Sequence, residues 1–200
     1  SLPSRGLGDV YKRQIKISSR KVLEEVLGAL GIVGESFAKT CVIVDKMDKL
    51  PTEAIATQLS DLGLDDDSIS TIQSVLGITN LSDLGGSLDA GSTASSELES
   101  LFSLIDSYGI SDWVQFDASI VRGLAYYTGP VFEAHDRSGN LRAICGGGRY
   151  DKLIGTLGGK DLPATGFGFG DMVIIELLSD KGLLPDCLLY TSDAADDLGR

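Results

Sequence analysis

The stretch Val121-Arg-Gly-Leu-Ala-Tyr-Tyr-Thr-Gly-Pro-Val-Phe-Glu-Ala134, with Cys145-Gly-Gly-Gly-Arg-Tyr150 after it, decides how the rest of this 200-residue chain is read. Val131–Ala134 and Leu141–Cys145 are rich in strand-forming residues, and Asp136-Arg-Ser-Gly-Asn140 between them has the composition of a hairpin turn, so the two segments are expected to pair antiparallel. Trp113–Asp117 supplies a third expected strand. Three consecutive glycines at the end of the second strand have no Cβ and admit close approach of a ligand or another backbone; a tight turn is the plainer reading. Asp117, Arg122, Tyr126, Tyr127, Thr128 and Glu133 form the densest polar constellation in the chain. Arg122 offers a fixed fork of donors for carboxylate or phosphate oxygens, and a tyrosine hydroxyl can orient a small polar ligand. Neighbouring side chains on an extended segment point to opposite faces. Tyr126 and Tyr127 can therefore share a pocket only if the backbone kinks, which Gly123 and Gly129 permit. Spacing alone supports a grip on an amino acid and an anion no more than it supports a solvated arginine with two sheet tyrosines.

Upstream, helical periodicity dominates. Ile15–Arg20 alternates as a short strand; Val22, Leu23, Val26, Leu27 and Leu30 then recur at helical spacing up to Gly31. Phe37, Cys41, Val44, Met47 and Leu50 form a second apolar stripe ending at Pro51, and Thr52–Leu62 a third helix. Asp65, Asp66 and Asp67 precede another amphipathic run and are expected to cap it, since consecutive helical residues do not share a face as metal ligands must. Ser82–Ser96, rich in Gly, Ser and Asp, reads as a mobile loop before a helix from Leu98 to Tyr108. Downstream, Gly166-Phe-Gly-Phe-Gly170 runs into a helix with Met172, Ile175 and Leu178 on its apolar face. It lacks the strand–helix–strand setting of a dinucleotide fingerprint, and Cys145–Tyr150 lacks the Gly-Lys-Ser/Thr of a P-loop. His135, a lone histidine, reads as a surface residue. Helices and antiparallel strands are segregated along the chain, which argues an α+β fold.

Composition narrows the function classes. An apolar content of 42% fits one soluble domain, and a net charge of −12 opposes wrapping of nucleic acid. Three widely spaced cysteines make neither a disulfide framework nor a metal knuckle. There is no apolar run of about 18 residues to span a membrane.

Arg122–Glu133, Cys145–Tyr150 and Gly166–Leu178, taken in order, resemble the two histidine-specific signatures and the third class II motif of histidyl-tRNA synthetases. The resemblance implies a class II catalytic domain: an antiparallel sheet with a helical insertion at about 37–109 and a strand-rich core at 110–186. It implies ATP-dependent activation of histidine and transfer to tRNA(His), with ATP and Mg²⁺ as substrate complex, no protein-bound metal, no membrane, and a homodimer in the cytoplasm or in a chloroplast or mitochondrion. Arg122 would be the catalytic residue, touching both histidine and ATP. Tyr126, Tyr127 and Tyr150 would bind histidine; Gly168 and Gly170 would bind ATP. Two departures stand out: Val173 occupies the place of the third motif's arginine, as in plant organellar members, and Ala125 stands where the signature has Asp. Residues 1–14 and 187–200 resemble translated adapter sequence and are set aside as tails that should not pack. On this reading the first two class II motifs would precede Ile15 and an anticodon-binding domain would follow Pro185, and the chain alone would be inactive. The rival readings are a non-catalytic paralogue that binds histidine as a regulatory subunit, and a degenerate module of a larger kinase.

Overall fold

The computed structural model describes residues 13–47, 50–89, 91–136 and 141–184. A five-stranded sheet is built from β1 (Arg13–Ser19), β2 (Val114–Phe116), β3 (Pro130–Asp136), β4 (Cys145–Tyr150) and β5 (Ala164–Phe169), in the order β2-β1-β3-β4-β5. The register lines up Phe116, Ile17, Phe132, Gly147 and Phe167 across one face, and Gln115, Lys16, Glu133, Gly146 and Gly168 across the other. The first row is apolar and its β2–β1–β3 end packs against helices. The second is polar and carries the site.

The helices are α1 (Arg20–Ala29), α2 (Gly34–Val44), α3 (Thr52–Asp61), α4 (Asp66–Leu76), α5 (Leu81–Leu84), α6 (Thr93–Ser107), α7 (Leu153–Thr156) and α8 (Asp171–Asp180). Leu27, Ile72, Leu84 and Leu98, each fully buried, join Ile17 and Phe116 in one core that fastens α1, α4, α5 and α6 to the sheet. Ile43, Ile55, Leu59 and Ile69 make a smaller core among α2, α3 and α4. Asp65 caps α4, its carboxylate accepting from Ser68 N at 2.8 Å, so the acidic run serves the helix end.

Several expectations shift. β1 starts at Arg13: Arg13 and Gln14, grouped above with a tail, pair with Asp136 and His135, and the Gln14 side chain bonds Gln115. The remainder of the two proposed tails, residues 1–12 and 187–200, and residues 137–140 of the expected hairpin turn lie outside the described residues. The strand expected at Leu141–Cys145 is instead Cys145–Tyr150, with the three glycines inside it. Ladder bonding from β3 and β5 on both sides supplies what glycine's poor strand propensity lacks. The glycine-rich Gly166–Phe169 likewise belongs to a strand. The expected loop Ser82–Ser96 holds most of α5 and the start of α6. Ser92 caps that start, its hydroxyl accepting from Ser95 N at 3.0 Å, and Glu25 on α1 reinforces it from another helix, accepting from Ser92 Oγ (2.5 Å), Thr93 Oγ1 (2.8 Å) and Ala94 N (3.0 Å). The sheet is mixed, because β1 and β2 are parallel and joined through the helical run, as parallel neighbours require.

Candidate functional site

The segment 121–129 leaves the sheet after β2 and crosses its polar face before β3. Arg122 sits there at φ 47°, a left-handed conformation that costs a non-glycine residue about 1–3 kcal/mol and persists only where its surroundings impose it. Those surroundings are specific. Arg122 Nη1 donates to Glu133 Oε1 at 2.6 Å, and the other carboxylate oxygen lies 3.1 Å from His135 Nε2. Lys16 faces Glu133 in register but is held by Asp117 Oδ2 at 2.8 Å. Arg122 Nε is buried and has no hydrogen-bond partner, a costly state for a charged donor unless a ligand answers it.

The glycines explain how the arginine fits. A Cβ on Gly146 would overlap Arg122 Nη1, and one on Gly148 would lie 2.8 Å from the Tyr127 ring. On the opposite face, a Cβ on Gly147 would overlap the Gly166 carbonyl oxygen. A Cβ on Gly166 would come within 2.6 Å of the Tyr150 hydroxyl. What approaches these residues closely is therefore the protein's own guanidinium, tyrosines and neighbouring strand.

Tyr126, Tyr127 and Tyr150 converge, with ring centroids 4.6 Å apart for Tyr126 and Tyr127 and 5.6 Å for Tyr126 and Tyr150. The two adjacent tyrosines share one side because Ala125 and Tyr126 form a turn, the kink that an extended reading lacks. Tyr127 is 4% exposed and packs on Ile120 and Val131, while Tyr126 is 36% exposed. Burial, reinforced by the Tyr126 hydroxyl, pushes the Tyr127 phenol up. These three rings, Arg122, Leu124, Gly146, Leu153 and the Gly166–Gly168 backbone line a cavity of about 420 Å³. Of the residues singled out in the sequence, Arg122, Tyr126, Tyr127, Tyr150 and Gly168 are brought together there. Gly170 is not in the lining; it precedes α8, where its N–H bonds Ile144 O. Leu124 and Leu153 give no sequence signal beyond being apolar. Glu133 has no sequence signal beyond its place in the polar constellation. His135, read as a surface residue, is half-buried and engaged. A second cavity, of about 450 Å³, has a mainly apolar lining that includes Ile17, Leu101, Phe132 and Pro163. Among the described residues no three His, Cys, Asp or Glu side chains are grouped to hold a metal ion, and no helix is long and apolar enough to cross a membrane.

Burial alone would raise the Glu133 carboxyl, but the His135 bond and the Arg122 charge outweigh it and hold it below its ordinary value of 4.5. A depressed carboxylate stabilises the fold fully above its unfolded value, and that contribution is lost as pH falls through the lower folded one. The stability gap between the parent and Glu133→Gln, measured by urea unfolding, should be present at pH 5 and close as pH falls below about 4.5.

Residues 5–171 match the family described as histidyl-tRNA synthetase. The chain is 52% identical over 171 residues to the chloroplastic/mitochondrial histidine–tRNA ligase of Arabidopsis thaliana, covering 86% of this chain and 35% of that protein. Its fold superposes on the crystal structure of histidyl-tRNA synthetase from Nostoc sp. PCC 7120 with a TM-score of 0.76 at 28% identity, covering 87% of this chain and 43% of that one. A Bacillus halodurans structure described as an ATP phosphoribosyltransferase regulatory subunit/histidyl-tRNA synthetase shares the fold at TM-score 0.63 and 24% identity, over 79% of this chain and 42% of that one. The chain thus spans less than half the length of each of these relatives.

Proposed function

This chain belongs to the histidyl-tRNA synthetase family, and we propose from that premise that it forms the histidine-selecting part of a histidine–tRNA ligase catalytic domain. The observation that carries the reading is a half-buried arginine whose buried Nε is unanswered, beside a cavity ringed by three tyrosines. In the reaction the histidine carboxylate attacks the α-phosphate of ATP in line, pyrophosphate leaves, and the adenylate then acylates tRNA(His). ATP arrives with Mg²⁺ as part of the substrate complex. Arg122 bridges the carboxylate and the α-phosphate and answers the charge that develops between them, with no proton transferred. Tyr127 and Tyr150 contact the imidazole, and Tyr126 closes the outer side. Gly168, above which space for a Cβ is open, lets the nucleotide lie against the β5 backbone, and Gly170 turns the chain into α8 next to it.

The activity is proposed for the protein at the full length of its relatives. Exposed Leu104, Tyr108, Phe167 and Phe169 suit coverage by the remaining chain and by a second copy in a homodimer. The identity to a plant organellar relative supports a chloroplast or mitochondrion as its compartment. A site that hydrogen-bonds its substrate loses affinity when one partner is removed and the other is left buried. Tyr127→Phe in the full-length protein should raise the histidine KM about tenfold in pyrophosphate exchange, since each 1.4 kcal/mol is a factor of ten. An unchanged KM would reduce Tyr127 to a packing role.

A further inference from the structure

The polar face of the sheet carries two carboxylates and two cations, and they are paired selectively. Lys16 is the cross-strand neighbour of Glu133 yet binds Asp117 at 2.8 Å, which leaves Glu133 to Arg122. Asp117 is itself fixed by Ser119, whose hydroxyl donates to Oδ1 at 2.5 Å. His135 lies two residues beyond Glu133 on the same face of β3 and holds its second oxygen at 3.1 Å. The carboxylate is therefore held at both ends. Arg122 rises from a strained loop backbone and also interacts with the Tyr127 hydroxyl; Glu133 supplies the ion pair at the end of its long side chain, and Gly146 leaves the space through which the guanidinium reaches it.

We propose that Glu133 is a positioning residue for histidine activation: anchored through one oxygen by His135, it grips Arg122 Nη1 through the other and sets the orientation of the guanidinium, including its free Nε, beside the tyrosine cavity. This rests on the ligase reading above. A donor helps a transition state most when it needs no reorganisation as charge develops. Glu133 partly neutralises Arg122, so its benefit is orientation rather than added positive charge.

Glu133→Gln keeps an acceptor oxygen but loses the charge-assisted bond. In histidine-dependent ATP–pyrophosphate exchange by the full-length protein, it should lower kcat about ten- to a hundredfold, the range for one hydrogen bond to a charged group, and leave the histidine KM within about twofold. In an Arg122→Ala background the same change should have no further effect, because the two residues act as one unit. An unchanged kcat, or an equal loss in both backgrounds, overturns the proposal. Absence of histidine-dependent exchange in the parent would instead overturn the ligase reading. The positioning claim is then decided by ¹⁵N NMR of the Arg122 Nε–H: a signal moved or broadened by Glu133→Gln supports it, and an unaltered signal overturns it.

Discussion

Gly147→Ala is expected to lower the unfolding free energy by about 3 kcal/mol, the upper end of what an extra methyl costs in a packed interior. The new Cβ would overlap the Gly166 carbonyl oxygen and lie 2.6 Å from Phe167 Cβ and 2.8 Å from its Cα. Those are largely backbone atoms of β5, which cannot rotate aside as a side-chain tip can. Relief therefore requires β5 to part from β4, and among the described residues β5 is an edge strand of the sheet. Its displacement would also carry Gly166 and Gly168 away from the cavity. Gly168→Ala is the control. The same strand gains the same methyl, but no atom lies within 4 Å of the new Cβ, and stability should stay within about 0.5 kcal/mol of the parent. Equal costs for the two substitutions in chemical denaturation would mean that glycine's backbone freedom, not its missing side chain, matters in these strands.

Arg122→Ala is expected to reduce kcat for histidine-dependent pyrophosphate exchange by about 10²–10³, equivalent to about 2.7–4 kcal/mol of barrier, the loss typical of one preorganised donor. The fold should tolerate it. Arg122 lies on a loop, and removing it ends the Glu133 ion pair but leaves His135 on that carboxylate. The residue replacing it still has to adopt φ 47°, so Arg122→Gly is a useful companion that relieves this strain. Both variants should lose activity alike, with the glycine variant the more stable. Exchange that survives either substitution nearly intact would remove Arg122 from the chemistry.

Amphipathic periodicity made α1, α4 and α6 legible, because burial of one helix face is written at every third or fourth residue. The glycine strands were not legible in the same way. Cys145–Tyr150 has almost no strand-forming side chains, and its conformation comes from β3 and β5, which are distant in sequence. The alternation of glycine and phenylalanine from Gly166 to Phe169 was the available sign that this segment is extended. The start of α6 has a local cap in Ser92, but its polar composition suggested a loop, and the reinforcing contact from Glu25 comes from far away on α1. At the site, residue types identified Arg122 and the tyrosines as a group. Only the turn at Ala125 and Tyr126 placed Tyr126 and Tyr127 on one side, and only the register of β3 brought His135 to Glu133.

Selectivity for histidine is the central property proposed for the cavity, and the amino-acid dependence of ATP–pyrophosphate exchange by the full-length protein tests it most directly. Histidine should drive exchange, and phenylalanine, which keeps a ring but offers no imidazole nitrogen, should be poorer by a factor of about 10⁴ or more in kcat/KM, as in sites that leave buried polar groups unpaired with the wrong substrate. Comparable exchange with phenylalanine, or histidine binding with no exchange at all, would contradict the account, the second outcome pointing to a regulatory histidine-binding protein on the same fold.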